Sequence, residues 1–179
     1  MPDKLIFSQT FEGLFRATAA HLDEPTVAAL KAAGIDPQAE LKPSYPLPVF
    51  HAVVKLLAQR LFPEAGPEEQ LRRLGRQFMD GYALTMVGRA MVGMMRVIGP
   101  QRTLDRLSRQ FRTGNNFSET RVEELGPGQS ELWCNQVTWP SWYEGIVARG
   151  LEFAGGKDVQ VQLIRRDDDG ATFRVTWRR

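Results

Sequence analysis

The 179-residue chain carries 23 Lys and Arg against 21 Asp and Glu, a formal charge of +2, too near balance for a polyelectrolyte grip on nucleic acid. Its length suits a single domain with a full hydrophobic core, and its one cysteine, Cys134, excludes an internal disulfide framework. No basic-then-apolar leader opens the sequence and no apolar run reaches bilayer length, so a cytoplasmic protein without a membrane span is expected.

The N-terminal half is punctuated by proline. Ser8 is placed to cap a helix whose apolar positions Phe11, Leu14, Phe15 and Ala19 follow three-to-four spacing. Asp23 and Pro25 start a second helix that Gly34 and Pro37 end. After the proline-rich stretch Pro43 to Pro48, a third helix starts near Pro46 or Pro48 and stops at Pro63, burying Val49, Phe50, Val53, Val54, Leu56, Leu57 and Leu61.

From Pro67 the pattern predicts one long helix reaching Gly99-Pro100, with Glu68 and Glu69 in the first turn where the helix dipole favours negative charge. It carries Gly75, Gly81, Gly88 and Gly93 among Met79, Met86, Met91, Met94 and Met95. Each interior glycine costs roughly 0.5–1 kcal/mol relative to alanine, so their number calls for close approach by another backbone, a ligand or a subunit. Between Tyr82 and Met95 only Thr85 and Arg89 interrupt an otherwise apolar or small run, which suits the middle of a bundle. Arg89 there needs the rim, an internal carboxylate or an anionic ligand.

A shorter helix, Gln101 to Phe111, sets Arg102, Arg106 and Arg109 along one face with Leu104 and Leu107 inward; Arg96, Arg112 and Arg121 extend the arginine cluster. That cluster is either a solvated face paired with acids or an anion or partner rim. The string from Phe111 to Phe117 contains Gly114, Asn115 and Asn116, which favour specific turns, and it offers either a defined connection or a small polar patch.

Thereafter the period changes to two. Thr120 to Leu125 and Glu131 to Val137 form a hairpin through Gly126-Pro127-Gly128; Pro140 to Gly155 is a helix; Val159, Val161 and Leu163, then Phe173, Val175 and Trp177, alternate across a second hairpin turned at Asp167 to Gly170. The expected fold is α+β, one domain: residues 1–111 mainly helical, packed on a C-terminal ββαββ antiparallel sheet of residues 118–179.

Catalytic chemistry finds no constellation. His21 and His51 are the only histidines, in no paired-ligand spacing, and one cysteine makes no familiar metal set, so no metal, cofactor or enzymatic role is expected. A non-enzymatic binding module is the leading reading, with a small apolar ligand between the Gly/Met helix and the sheet. Its pocket residues are Gly81, Tyr82, Thr85, Gly88, Arg89 and Met95, and its anion or partner rim is Arg102, Arg106, Arg109, Arg112, Asn115 and Asn116. The alternative is an interaction or scaffold protein without ligand, a homodimer or adaptor in which Gly81, Gly88 and the methionines pack on a second helix. An enzyme built on Tyr82 or Cys134 is a third reading, with no base near either in sequence.

The strings Phe78-Met79-Asp80-Gly81-Tyr82, Gly99-Pro100, Phe111 to Phe117 and Thr176-Trp177 resemble the pattern of a myxobacterial paralogous family of about 180-residue proteins of unknown function, over nearly the whole chain. That resemblance implies a single domain and no particular activity. The order of helices followed by ββαββ is also similar to haem-NO/oxygen-binding domains, 4-vinyl-reductase-like domains and vesicle-tethering subunits. The chain lacks the Tyr-x-Ser-x-Arg string of the haem-binding members and the several thiols of metal-linked ones.

Overall fold

The computed structural model describes residues 3–168 and 170–178. Its elements run β1 (Leu5–Phe7), α1 (Ser8–Ala17), α2 (Glu24–Ala32), β2 (Ser44–Pro46), α3 (Leu47–Leu61), α4 (Pro67–Tyr82), α5 (Met86–Asp105), α6 (Leu107–Phe111), β3 (Thr120–Gly126), β4 (Gln129–Asn135), α7 (Pro140–Phe153), β5 (Lys157–Arg166) and β6 (Gly170–Arg178). This is the α+β architecture the periodicities predict. The four C-terminal strands form one antiparallel sheet in the order β3-β4-β6-β5.

Local chemistry explains several boundaries. The Asp23 carboxylate accepts the Thr26 amide at 2.9 Å and caps α2, and Pro48 sits in the first turn of α3, where its missing N–H costs nothing. Ser8 starts α1 without capping it. The cap position is Phe7, and the first free amides are met from afar: Phe7 N–H donates to the Gly114 carbonyl and Ser8 N–H to that of Pro43. These bonds belong with a two-stranded ribbon, β1 against β2, that three-residue segments almost forty residues apart cannot announce in a sequence.

The single helix expected from Pro67 to Gly99 is two helices. The Thr85 hydroxyl donates to the Tyr82 carbonyl at 2.8 Å and accepts the Gly88 amide at 2.9 Å, so it closes a turn after α4 and caps α5. α5 then kinks at Gly99, whose φ of 79° is left-handed, ahead of Pro100, and continues to Asp105. The segment expected as a separate helix from Gln101 is therefore the end of α5, with α6 following after Arg106.

Two hydrophobic clusters make up the interior. One gathers Phe11, Leu14, Phe50, Val54, Leu57, Leu74 and Phe78 from the helices; the other sets Leu132, Cys134, Phe173, Val175 and Trp177 of the sheet against Val147 and Leu151 of α7 and Leu104 and Leu107. α4 is the hub, packed on α1, α3 and α7. Its glycines are packing residues. A Cβ on Gly75 would lie 2.5 Å from the Trp142 carbonyl oxygen, and one on Gly81 would lie 2.3 Å from that of Gly13.

α5 does not occupy a bundle centre. Val92 and Met95 are buried, but Met86, Ala90, Gly93 and Val97 form an exposed stripe at i, i+4, i+7 and i+11, with Val97 86% exposed. The helix covers α7 with one face only, so its apolar outer face is unshared. In the second hairpin, Val161 is buried, whereas Leu163, on the edge strand β5, is exposed.

Candidate functional site

A cavity of about 120 Å³ lies where the two hydrophobic clusters meet, walled by side chains of α3, α4, α5, α6 and α7. Phe78 and Tyr82 of α4, Met91 and Met95 of α5, and Trp142 and Tyr143 of α7 supply most of its apolar surface. No residue of β3–β6 lines it. α7, whose Val147 and Leu151 belong to the sheet core, stands between cavity and sheet, which corrects the expected helix-on-sheet placement. Exposed Gln136 and Thr138 border it, so that end meets solvent.

Of the six residues that the sequence suggests for the pocket, the structure brings two, Tyr82 and Met95, to the cavity wall. Gly81 faces α1 instead. Thr85 is consumed by its capping bonds, and a Cβ on Gly88 would collide with the Tyr82 carbonyl, so Gly88 seals the α4–α5 turn. Arg89 is exposed on α5 and escapes the cost of burial by reaching water.

The suggested rim divides as well. Arg102, Arg106 and Arg109 are exposed, with no acidic side chain in ion-pair range among the described residues. Arg112 pairs with Glu119 at 3.2 Å. Asn116 accepts the Leu5 amide at 2.9 Å and donates to the Asp3 carbonyl at 3.0 Å, while the Asn115 side chain accepts the Phe117 and Ser118 amides. Both asparagines thus fasten the loop after α6 to β1, and Asn115 also borders the cavity.

The remaining cavity residues come from several separate elements. His51 of α3 lines it, half-buried, with Trp139 at 4.8 Å between ring centroids and Thr138 Oγ1 at 3.4 Å from its Nε2. Trp139 and Trp142 line the cavity, Trp177 fills the sheet core, and Trp133 faces outward under the Arg121 guanidinium. Gln110 and Thr103, overlooked in the sequence, are buried in the wall.

Electrostatically the cavity is neutral. None of its lining residues is Asp, Glu, Lys or Arg. Burial lowers the His51 pKa below its ordinary 6.5, favouring the uncharged imidazole, and burial raises that of Tyr82, whose hydroxyl lies 3.1 Å from Thr113 Oγ1. Because the unfolded chain protonates His51 more readily than the folded one, stability is full above pH 6.5 and falls as pH drops through that value. Urea titrations at stepped pH are expected to show this loss, and His51→Gln is expected to flatten it. Cys134 is buried with a raised pKa, so its thiol is kept un-ionised and serves the sheet core.

Solved structures with this arrangement define the class of fold. An H-NOX protein from S. oneidensis superposes with a TM-score of 0.74 at 12% identity, over 96% of this chain and 95% of that one. A doubly substituted Tt H-NOX gives a TM-score of 0.70 at 11% identity, over 97% and 96%. A structure concerned with haem redox potential and protein-induced porphyrin distortion gives 0.65 at 12%, over 93% and 92%. The fold is therefore H-NOX-like, with an internal cavity at its helical centre. The chain itself belongs to a family of proteins of unknown function, DUF2378, whose model matches residues 4–178. No curated protein sequence matches it.

The residues present do not fit a haem. The cavity is in the size class of the roughly 150 Å³ space that admits one benzene, several-fold too small for a porphyrin. α5 turns the methionines Met91 and Met95 toward it and no histidine; His51 approaches from α3, engaged with Thr138 and Trp139. Among the described residues no group of three His, Cys, Asp or Glu side chains is arranged to hold a metal ion.

Proposed function

We propose that the protein is a non-enzymatic binding module that encloses one small, uncharged, largely apolar molecule in the cavity between α4, α5, α6 and α7. The observation that carries this reading is the cavity itself: a space walled by Phe78, Tyr82, Met91, Met95, Trp142 and Tyr143 at the centre of an H-NOX-like fold. A tightly folded interior leaves few voids larger than water, so one of this size among aromatic and thioether groups has the character of a ligand site. The methionines suit it, being flexible enough to close around an irregular guest. Its setting in this reading is the cytoplasm of a myxobacterium, following the family resemblance and the lone cysteine, and no helix among the described residues is long and apolar enough to cross a membrane.

Native mass spectrometry of the purified protein beside a denatured sample tests this reading. Extra mass retained only in the native spectrum is the expected result. The second reading, a homodimer joined through α5, is favoured by Gly93, whose missing Cβ would meet nothing within 4 Å and whose cost to the helix no contact within the chain explains. A bare dimer in the native spectrum would select that reading, and a bare monomer would count against both.

A further inference from the structure

Two residues of the cavity wall carry buried polar atoms whose hydrogen-bonding capacity is unused. Most polar side chains around the wall are engaged: Tyr82 with Thr113, Thr113 with the Gln110 carbonyl, Thr10 with the Gly114 carbonyl, and Asn115 with two loop amides. Both amide atoms of Gln110, its Oε1 acceptor and Nε2 donor, and the Thr103 hydroxyl have no partner, although Gln110 is 7% exposed and Thr103 1%. All three atoms belong to residues of the cavity wall. Buried polar groups are almost always paired in folded proteins, and the third place in the described chain where one is not, the Arg174 Nε, lies outside this cavity.

Resting on the cavity reading above, we infer that the Gln110 amide, aided by the Thr103 hydroxyl, selects a ligand carrying an adjacent N–H donor and carbonyl acceptor, a small lactam or primary carboxamide. A carboxamide presents one acceptor and two donors in a plane, so a ligand amide lying edge to edge satisfies acceptor and donor together through two parallel N–H···O bonds. A hydrocarbon leaves both unmet. A carboxylate offers acceptors alone and needs a cation, yet no Lys or Arg lines the cavity and burial disfavours a charged His51. The apolar walls take the rest of the molecule, and the space of about 120 Å³ limits it to a single small ring or short chain.

The test compares 2-pyridone, a planar lactam, with toluene, which has the same number of heavy atoms, binding to the wild-type protein and to Gln110→Leu by titration calorimetry. Wild type is expected to bind both probes, and the ratio of the toluene Kd to the 2-pyridone Kd is expected to fall at least tenfold in Gln110→Leu. Thr103→Val, which keeps its shape, repeats the comparison if the leucine variant fails to fold, with a fall of at least threefold. Binding of toluene with an unchanged ratio, or of toluene alone, overturns the amide preference and leaves the cavity reading intact. Failure of the wild type to bind either probe up to its solubility limit overturns both.

Discussion

Alanine at position 145 is expected to destabilise the protein by about 2–4 kcal/mol, while alanine at position 93 is expected to stabilise it by about 0.5–1 kcal/mol. Gly145 of α7 and Gly75 of α4 face one another where these helices cross. A Cβ on Gly145 would lie 2.1 Å from the Arg72 carbonyl oxygen and 3.0 Å from the Arg76 nitrogen, and backbone atoms cannot rotate aside as a side chain does. The helices must separate, and the cost of that exceeds the gain of about 1 kcal/mol that alanine brings to a helix interior. Gly93 has nothing within 4 Å of such a Cβ, so only the gain remains. At roughly 2–4 °C per kcal/mol for a chain of this length, thermal melts should show a fall of about 5–15 °C for Gly145→Ala and a small rise for Gly93→Ala. Equal effects in the two variants would contradict the close crossing.

The same crossing is bracketed by charge, and its most buried member yields the second large effect. The Glu144 carboxylate, 9% exposed as a residue, accepts from Arg72 Nε at 3.1 Å and Nη2 at 2.7 Å, and its other oxygen accepts the Leu163 amide at 3.0 Å. One side chain of α7 thereby ties α4 to the edge strand β5. Glu144→Leu strips all three donors of their acceptor and is expected to cost about 2–4 kcal/mol in urea unfolding, tempered because Arg72 keeps Glu69 at 2.6 Å and is itself partly exposed. Glu144→Gln retains an acceptor for the strand amide and is expected to lose about half as much. A leucine variant as stable as wild type would remove this carboxylate from the account of how the halves are joined.

The fold was legible where physics acts over short distances. Asp23 with Pro25, the prolines around α3, and the period-two runs from Val159 and Phe173 each specify an element by local rules, and the structure has those elements. The α4–α5 break was not, because Thr85 looks like a stray polar residue in an apolar run until its hydroxyl is seen bridging the Tyr82 carbonyl and the Gly88 amide. β1 and β2 are three residues each, and their pairing depends on a loop that Asn115 and Asn116 pin from over a hundred residues away. The candidate site shows the same division. Helical spacing around the Gly/Met segment pointed to Tyr82 and Met95, but the glycines proved to serve helix crossings and a turn. Phe50, His51 and Gln110 reach the cavity from two other helices, and no spacing rule relates residues that only the tertiary fold brings together.

Methionine methyl NMR provides the most direct measurement on the cavity, since the protein carries its own controls. Met79, Met91 and Met95 line the space, whereas Met86 and Met94 are exposed on the outer face of α5. With 13C-labelled methionine methyls, a toluene titration is expected to move the resonances of Met79, Met91 and Met95 together through ring-current shifts and to leave Met86 and Met94 in place. Shifts confined to Met86 and Met94, or none at all at saturating toluene, would contradict a ligand-binding cavity at the centre of this fold.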